Sequence, residues 1–414
     1  MRYCIHRGTK EIGGTCVELE SQGRRILLDL GQPLDAPDPT PELLPAVPGL
    51  TGVDEKLLGI VLSHSHRDHW GLIPLSRPDL PVMMGEATHR IMQAAEPFVP
   101  GMSLPGQVRY MVDGETMDLG PFRLTPFTVD HSAYDAYALL IEAEGRRLFY
   151  SGDLRAHGRK ASLFEKMVRR PPQEVNVMLL EGTTLSRPGT DIRFPSEADI
   201  EQHLVAELRA TPGMSLVCAS AQNIDRMVSI FRAAKRTGRK LLIDVYAAEM
   251  LRATGNPNIP QSFWPEVAVF TPQYQRRQIY DKGLFAELDR HKTHRLFPED
   301  LKARSGSLAM LFRPAMLDDL RKAECLAGAR AVWSQWDGYL KQERGLALLR
   351  QFRELAIPVT SIHTSGHASL PDLQRLAKAI RPDTLVTIHS SEGHRFPEWF
   401  DDVAATADGE WQEV

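Results

Sequence analysis

The feature that most constrains this chain is the hexapeptide HSHRDH at residues 64–69, which directly follows an almost entirely apolar run. Such a run predicts a buried strand. Side chains alternate along a strand, so His64 and His66 are expected to face the same way, where one ion can take both. Asp68 and His69 lie just beyond the strand end, where a loop can aim them at a neighbouring ion. Because imidazole and carboxylate are the usual ligands of zinc and similar metals, the sequence predicts a metal centre here.

Length and composition limit the class of protein that can carry this centre. A chain of 414 residues predicts about two to three domains, and its 43% hydrophobic and 25% charged residues exclude a disordered chain. The formal net charge of −4 argues against binding nucleic acid through overall positive charge, but a local basic groove remains allowed.

Cysteine use and hydropathy predict the compartment. The four cysteines form no C-x-x-C pair and are too few for a disulfide framework, so we expect a reducing, cytoplasmic environment. The sequence has no apolar stretch of about 18 residues, so no membrane span is expected. The first residues, MRYCIHRGTKEIGG, do not resemble a signal peptide.

Local patterns predict a change of architecture along the chain. The first ~180 residues are rich in strand patterns, and the middle alternates helical and strand patterns, as parallel βαβ units do. Helices are expected at 196–210, with Ser196 as N-cap, and at 223–236, 340–355 and 370–380. The principal predicted strands are 15–21, 24–30, 57–64, 123–127, 136–142, 147–150, 175–180, 215–220, 240–245, 308–312, 331–333 and 384–389.

The motif HxHxDH, preceded by a strand pattern that ends in LLDLG, resembles the metallo-β-lactamase-fold superfamily. That resemblance implies a lone His and then a strand-end Asp further along the chain. His131 in TVDHSAYDA and Asp153 in FYSGDLR match them in this order. It also implies that Asp29 of LLDLG orients a ligand His through its ring N–H; a strand-end turn residue is the alternative interpretation.

Three further segments resemble the extra motifs of the β-CASP nucleases, and the wording HTSGHA is closest to ribonuclease J-like members. The matching residues are Glu181 in VMLLEGTTLSR, His367 in SIHTSGHASLPDL and His389 in LVTIHSSEGHRF. The chain departs from the pattern at Ser390, where a Gly is often found. Soon after this residue the sequence ends, so the further C-terminal domain usual in ribonuclease J proteins is expected to be missing.

The resemblance implies a role for each matched residue. One ion would be held by His64, His66 and His131, a second by Asp68, His69 and His389, and Asp153 would bridge the two. The residues expected to take part in catalysis are Asp68, His367 as general acid or phosphate donor, and Glu181 as its orienting partner. The residues expected to bind the substrate phosphate are His363, Ser365, Gly366 and His367.

The fold class implied is α/β, a metallo-β-lactamase αββα sandwich with an inserted β-CASP α/β domain. We expect the sandwich to be built from residues 1–190 and 351–414, and the insertion to be residues 191–350. Five aromatic residues of the insertion have two possible roles, stacking on bases or packing in the core. They are Phe263, Trp264, Trp333, Trp336 and Tyr339.

The function implied is a zinc-dependent ribonuclease that hydrolyses phosphodiester bonds of single-stranded RNA with a hydroxide activated by two metal ions. Two Zn²⁺ ions are the expected cofactors, with Mn²⁺ as the alternative. Single-stranded RNA is the expected partner, no membrane is involved, and family resemblance allows a homodimer. Three alternatives stay open: a single-stranded DNA nuclease, a lactamase- or glyoxalase-like hydrolase of a small ester or amide, and an inactive partner in RNA processing. Endonuclease and 5′-exonuclease modes are also both open.

Overall fold

The computed structural model describes residues 1–186 and 191–414. Its strands, in chain order, are β1 Arg2–Arg7, β2 Cys16–Ser21, β3 Arg24–Leu28, β4 Leu57–Val61, β5 Val82–Gly85, β6 Val108–Met111, β7 Met117–Leu119, β8 Phe122–Val129, β9 Ala136–Ala143, β10 Arg146–Tyr150, β11 Val177–Glu181, β12 Ser215–Cys218, β13 Lys240–Ile243, β14 Val267–Phe270, β15 Arg295–Leu296, β16 Leu308–Leu311, β17 Arg330–Trp333, β18 Val359–Ser361, β19 Thr384–Ile388 and β20 Trp411–Glu413.

The α-helices are α1 Arg67–Trp70, α2 Glu86–Ala95, α3 Ala161–Arg169, α4 Glu197–Ala210, α5 Ile224–Arg236, α6 Val245–Ala253, α7 Gln273–Lys282, α8 Phe285–Arg290, α9 Pro298–Arg304, α10 Leu317–Lys322, α11 Glu343–Glu354 and α12 Leu370–Ile380. The 3-10 helices are Pro41–Leu43, Ile73–Leu75, Ser305–Ser307, Pro314–Met316, Asp337–Lys341 and Gly393–Glu398.

The chain divides into two compact units. Unit 1 comprises Met1–Met92, Gly101–Phe194 and Gly366–Val414, and unit 2 comprises Gln93–Pro100 and Pro195–Ser365. The bounds expected from sequence, with an insertion over 191–350, stay a prediction. Their first boundary adjoins residues 187–190, which lie outside the described residues.

Unit 1 contains two sheets that pack face to face. Their strand orders are β20-β1-β2-β3-β4-β5-β6 and β19-β11-β10-β9-β8-β7. Alternation along β3 shows how the layers form: Ile26 and Leu28 pack into the core shared by both sheets, whereas Leu27 joins a cluster on the outer face.

Helices cover the outer faces of the two sheets in unit 1. Phe164 of α3 and Leu373 of α12 pack in one cluster with residues of the second sheet. Met92 of α2 belongs to the cluster on the outer side of the first sheet. This arrangement is the αββα sandwich, and the predicted fold class is confirmed.

Unit 2 is built on one seven-stranded sheet of order β15-β14-β13-β16-β12-β17-β18, with all of its strands parallel. The predicted N-cap of its first helix, Ser196, is confirmed, and the structure adds a cap to the second. Ser196 and Asp199 form a capping box on α4, and the Asn223 side chain accepts a hydrogen bond from the backbone N–H of Arg226 on α5.

The predicted helix over 340–355 is divided in the structure. A 3-10 helix covers Asp337–Lys341, and α11 begins only at Glu343, because Gln342 is extended with ψ 160°. The backbone of Gly345 packs against the Tyr339 carbonyl and the Leu340 backbone, where a larger residue would clash. This close contact allows the chain to turn between the two helices.

The four cysteines are buried and free, as the composition predicted: Cys4, Cys16, Cys218 and Cys325. Burial raises the pKa of the Cys218 thiol to about 12, so it stays protonated at neutral pH. Among the helices described, none combines the length and the apolar character needed to cross a bilayer.

Candidate metal centre

The polar residues predicted to bind metal follow strand ends of unit 1. The chain leaves β4 at Val61 and reaches His64 three residues later, and His131, Asp153 and His389 come shortly after β8, β10 and β19. Strands β10, β11 and β19 pair in parallel, so their carboxyl ends meet at one edge. Backbone topology therefore gathers residues that lie more than 300 positions apart in sequence.

Four of these side chains form a first candidate ion site: His64, His66, His131 and Asp153. Their ligand atoms all lie within 4.8 Å of one another. His66 Nδ1 is 3.1 Å from His131 Nε2, and His64 Nε2 is 3.7 Å from Asp153 Oδ2. Three imidazoles and one carboxylate are a common ligand set for zinc.

Two further groups adjoin the first. Asp68, His69 and His389 form one, with His389 Nε2 3.3 Å from Asp68 Oδ2. Asp153 and His389 also group with Glu181 and His367, with ligand atoms within the same 4.8 Å limit. Asp153 thus belongs to two groups, which is the arrangement expected of a carboxylate shared by two ions.

The His64 ring is oriented by Ser63. The Ser63 hydroxyl donates its single proton to Asp29 Oδ2 at 2.7 Å, and it lies 2.9 Å from His64 Nδ1. Because a hydroxyl has only one proton, the Ser63 oxygen must accept a hydrogen bond from His64 Nδ1–H. The Nε2 atom of His64 then carries no proton, and its lone pair is free to bind a cation. Within the described residues this buried Nε2 has no hydrogen-bond partner, and neither has Asp153 Oδ1. Both atoms are therefore suited to bind a cation.

Asp29 is fully buried and orients His69. Its Oδ2 lies 2.7 Å from His69 Nδ1 and accepts a hydrogen bond from Tyr150 Oη at 2.6 Å, while Oδ1 accepts from the Ser63 backbone N–H at 2.7 Å. The other nitrogen of the ring, Nε2, is directed at Asp153 Oδ2, 3.1 Å away. These contacts match the role that the resemblance implies for Asp29.

The electrostatics of the centre suit metal ligation. Burial, helped by neighbouring imidazoles, holds the pKa of His64 and His131 well below the usual range and lowers that of His66 to about 4. Burial opposes ionisation of Asp68 and Asp153, but the surrounding histidines outweigh it and lower both pKa values. Neutral imidazoles beside ionised carboxylates are the protonation states that bind a divalent cation.

The pKa values of two other histidines in the centre, His69 and His389, are raised. Burial by itself would lower them, but the carboxylate of Asp153 outweighs burial for both rings. Asp29 adds to this effect at His69, and Asp68 adds to it at His389. The negative charge that draws a proton to these rings is the charge that would attract a cation.

His367 pairs with Glu181 at the side of the cluster. The His367 Nδ1 lies 3.1 Å from Glu181 Oε2 and 3.8 Å from Asp153 Oδ2. Glu181 is buried, and its Oε1 accepts a hydrogen bond from the Leu154 backbone N–H at 2.9 Å. This carboxylate is therefore fixed on one side and orients the His367 ring on the other.

The structure assigns the predicted phosphate-binding residues to different units. Gly366 and His367 belong to unit 1, where a side chain at position 366 would overlap Ser132. His363 and Ser365 belong to unit 2, and their role in phosphate binding stays a prediction. His363 Nδ1 is 3.4 Å from the Nη1 of the buried Arg226 guanidinium.

Several residues around the centre escaped the sequence-based interpretation: Ser63, Tyr150, Asp130 and Arg155. The first two contact Asp29, and a buried ion pair joins Arg155 Nε to Asp130 Oδ1 at 3.2 Å. Each adjoins a predicted ligand or lies near one in sequence, which was the only available signal. Ser, Tyr and Arg at such positions are ordinary without a tertiary partner.

The Asp29→Asn variant is expected to bind metal about 10- to 100-fold more weakly than the wild type, because a carboxylate bonded to the far nitrogen of a ligand His makes that ring more basic and fixes its orientation. Competition with a chromophoric chelator measures this affinity. Asp54→Asn, which changes a partly exposed carboxylate paired with Arg25, serves as control and should bind metal normally. Equal affinity in both variants would contradict an orienting role for Asp29.

The chain is similar to several known proteins. A family profile described as a beta-lactamase superfamily domain matches residues 24–204. Ribonuclease J of Mycobacterium tuberculosis is 30% identical over 253 residues, which cover 58% of this chain and 44% of that protein. Ribonuclease J of Mycolicibacterium smegmatis is 28% identical over 435 aligned positions, covering 95% of this chain and 69% of the relative.

A further relative and one solved structure extend the comparison. Ribonuclease J of Sinorhizobium meliloti is 22% identical, covering 89% of this chain and 64% of that protein. By comparison, the match to the M. tuberculosis relative spans less than half of the length of that protein. A crystal structure of a protein of unknown function from Enterococcus faecalis V583 superposes with TM-score 0.80 at 20% identity, covering 99% of both chains. That likeness establishes the fold.

Proposed function

Because the chain belongs to the metallo-β-lactamase-fold superfamily and is similar to ribonuclease J over most of its length, we propose that it is a zinc-dependent hydrolase of phosphodiester bonds in single-stranded RNA. The observation that carries the proposal is the convergence of three overlapping ligand groups, of which Asp153 belongs to two and His389 belongs to two. That convergence offers room for two ions rather than one.

The ligand sets proposed for the two ions are those expected from sequence. One comprises His64, His66 and His131, and the other Asp68, His69 and His389, with Asp153 between them. When bound, a pair of divalent cations supplies Lewis acidity and an acidified water, which suits phosphodiester hydrolysis. Imidazoles and carboxylates make up both sets, so the residues present fit zinc, with manganese as the alternative ion. In the second set the pKa values of His69 and His389 are raised, so binding a cation there would release protons from these rings.

The proposed task of His367 is proton transfer to the leaving oxygen. Its Nδ1 faces Glu181, which accepts the Nδ1 proton. For acid catalysis the ring carries a second proton on Nε2, and this is the proton that passes to the leaving oxygen. The backbone N–H of Leu154 fixes Glu181, and so the ring is held in one orientation. A general acid held in this way needs no reorganisation as the bond breaks.

The choice of RNA as substrate is supported by the three relatives described above, each of which is named ribonuclease J. A cytoplasmic location is supported by the four free, buried cysteines, which are typical of proteins from reducing compartments. The formal net charge of −4 predicts that binding depends on local contacts and not on broad attraction to the phosphate backbone.

The deciding experiment is cleavage of labelled RNA by the purified, zinc-loaded protein. The substrates are a single-stranded RNA with a 5′-phosphate and the same RNA with a 5′-hydroxyl. DNA of the same sequence, a small ester and a small lactam are tested beside them. We expect cleavage of RNA that stops on chelation and returns with Zn²⁺ or Mn²⁺. Mononucleotide release would indicate a 5′-exonuclease, and internal fragments an endonuclease. A protein that holds two metals and leaves every RNA intact would overturn the proposal.

The His367→Gln variant is expected to lose activity on the order of 100-fold in kcat, which is the lower range for loss of general acid catalysis. Its metal content, measured by mass spectrometry, should stay at the wild-type level, because the proposed ligand sets do not include His367. His203→Gln, a change on helix α4 in unit 2, is the matched control and should retain full activity. A parallel loss of metal in His367→Gln would instead assign His367 to the ligands.

A further inference from the structure

An aromatic pair in unit 2 is held at the surface rather than in the core. Trp336 and Tyr339 are each 47% exposed, whereas the neighbouring Trp333 is buried. Their ring centroids are 5.4 Å apart, with the planes at 83° to each other. Two large aromatic side chains that stay exposed next to one another form a surface on which planar ligands can stack.

The indole of Trp336 is fixed from below by a glycine. Its six-membered ring lies directly over Gly338, so that even a methyl group at position 338 would overlap it. The backbone carbonyl of Trp336 accepts a hydrogen bond from Trp333 Nε1 at 3.4 Å. One face of the indole is thereby seated on the backbone, and the ring needs little ordering when a ligand stacks on it.

Three hydrogen bonds connect neighbours of this aromatic pair, Trp333, Ser334 and Asp337, to the segment that leads to His363. The backbone N–H of Ile362 donates to the Trp333 carbonyl at 2.9 Å, and Ser334 Oγ donates to the Ile362 carbonyl at 2.7 Å. The third bond runs from Ser361 Oγ to Asp337 Oδ1, at 2.8 Å. Because Ser361 precedes His363 by only two residues, about 7 Å of extended chain separates them.

We propose that Trp336 and Tyr339 form a base-stacking platform for single-stranded RNA, adjacent to the predicted phosphate-binding residue His363. The inference rests on the proposed function and names a subsite of it. Every nucleobase has a π face, so a platform of this kind binds unpaired bases with little sequence preference, and purines stack more strongly because their rings are larger.

The charges around the platform favour stacking over ionic attraction. The exposed Lys341 and Arg344 are accompanied by Asp337 and Glu343, so the segment carries no net charge. A platform that acts through stacking should contribute the same factor to affinity at low and high salt, whereas loss of a phosphate contact would reduce the salt slope.

The test compares the Trp336→Ala variant with its parent for binding to a fluorescent 12-nucleotide RNA, measured by anisotropy on the Asp68→Asn background to suppress cleavage. We expect the Kd to rise roughly 5- to 100-fold, as for removal of one or two stacking contacts. The slope of log Kd against log salt should not change. In the zinc-loaded enzyme without Asp68→Asn, KM should rise with little change in kcat.

Two further variants keep the test specific. Gly338→Ala displaces the indole without removing it and should weaken binding in the same direction. Tyr280→Ala removes an aromatic side chain of unit 2 that is 75% exposed on α7, and it should bind RNA as its parent does. Affinity for a blunt RNA duplex should be equal in all variants, because paired bases are not available for stacking.

The outcomes separate this inference from the proposed function. If the wild type cleaves RNA and Trp336→Ala binds the oligonucleotide unchanged, the platform is refuted while the function stands. If the wild type cleaves no RNA but Trp336→Ala weakens binding, the function fails and the platform stands. Unchanged RNA affinity together with a dimer that Trp336→Ala dissociates would also overturn the proposal, because the pair would then be a subunit contact.

Discussion

Replacing Asp153 by asparagine is expected to reduce RNA cleavage by about 10⁴-fold, equivalent to about 5.4 kcal/mol of barrier. Asp153 is the central carboxylate of the candidate centre: its oxygens lie within 3.8 Å of nitrogens from His64, His69, His367 and His389. The amide has nearly the same shape but no negative charge, so it cannot neutralise two cations. Metal content should fall below two ions per chain, as measured by mass spectrometry.

The Asp153→Asn protein should still fold, because asparagine preserves the volume of a side chain that is buried between histidines. Thermal unfolding without metal provides this check. Asp319→Asn, which alters a mostly buried carboxylate on α10 in unit 2, is the control and should bind two metals. Two ions per chain in Asp153→Asn, with activity near the wild-type level, would exclude a bridging role.

The Asp130→Asn variant is expected to lower the free energy of unfolding by about 3–5 kcal/mol, the cost of breaking a buried ion pair from one side. Asp130 and Arg155 are both fully buried, and Asp130 Oδ2 also accepts a hydrogen bond from the Gly158 backbone N–H at 2.7 Å. The pair joins the residue before His131 to the residue two positions after Asp153. Its loss should therefore also weaken metal binding.

Urea unfolding of the metal-free protein measures this change, since bound metal would add its own stabilisation. The double variant Asp130→Asn, Arg155→Met removes both charges and is the informative control. It should recover part of the lost stability, because the buried guanidinium is removed together with the carboxylate that it pairs with. If the double variant is less stable than the single one by more than 1 kcal/mol, packing around Arg155 rather than charge pairing carries the stability.

Much of the fold was readable from local patterns. Local strand patterns predicted the strands that became β2, β8 and β9, and the helix over Leu370–Ile380 has the bounds that the pattern indicates. The helix predicted over 340–355 was partly wrong, because its interruption depends on contacts of Gly345 with Tyr339 and Leu340 that no helical period reveals.

The candidate site was predictable to the extent that its residues have distinctive chemistry. Three histidines and an aspartate within six positions are hard to explain by packing, so the first part of the ligand set follows from HSHRDH alone. The ligands further along the chain, such as His131 and His389, could be predicted only from the resemblance to a known family, because a single His has many ordinary roles. The structure places all seven predicted ligands in overlapping groups, and metal binding by them stays a prediction.

The amino-acid sequence by itself determined which donor atoms are available and the approximate location of the strands that precede them, since these depend on residue type and local periodicity. The strand ends differ: the strand predicted over 57–64 ends at Val61. Only the tertiary structure decided which donors meet and in which protonation state. Parallel pairing of β10, β11 and β19 brings distant strand ends together, and burial against Asp29, Ser63 and neighbouring rings then shifts the proton equilibria. Hydrogen bonds and desolvation act over a few ångströms in space, and so no pattern along the chain encodes them.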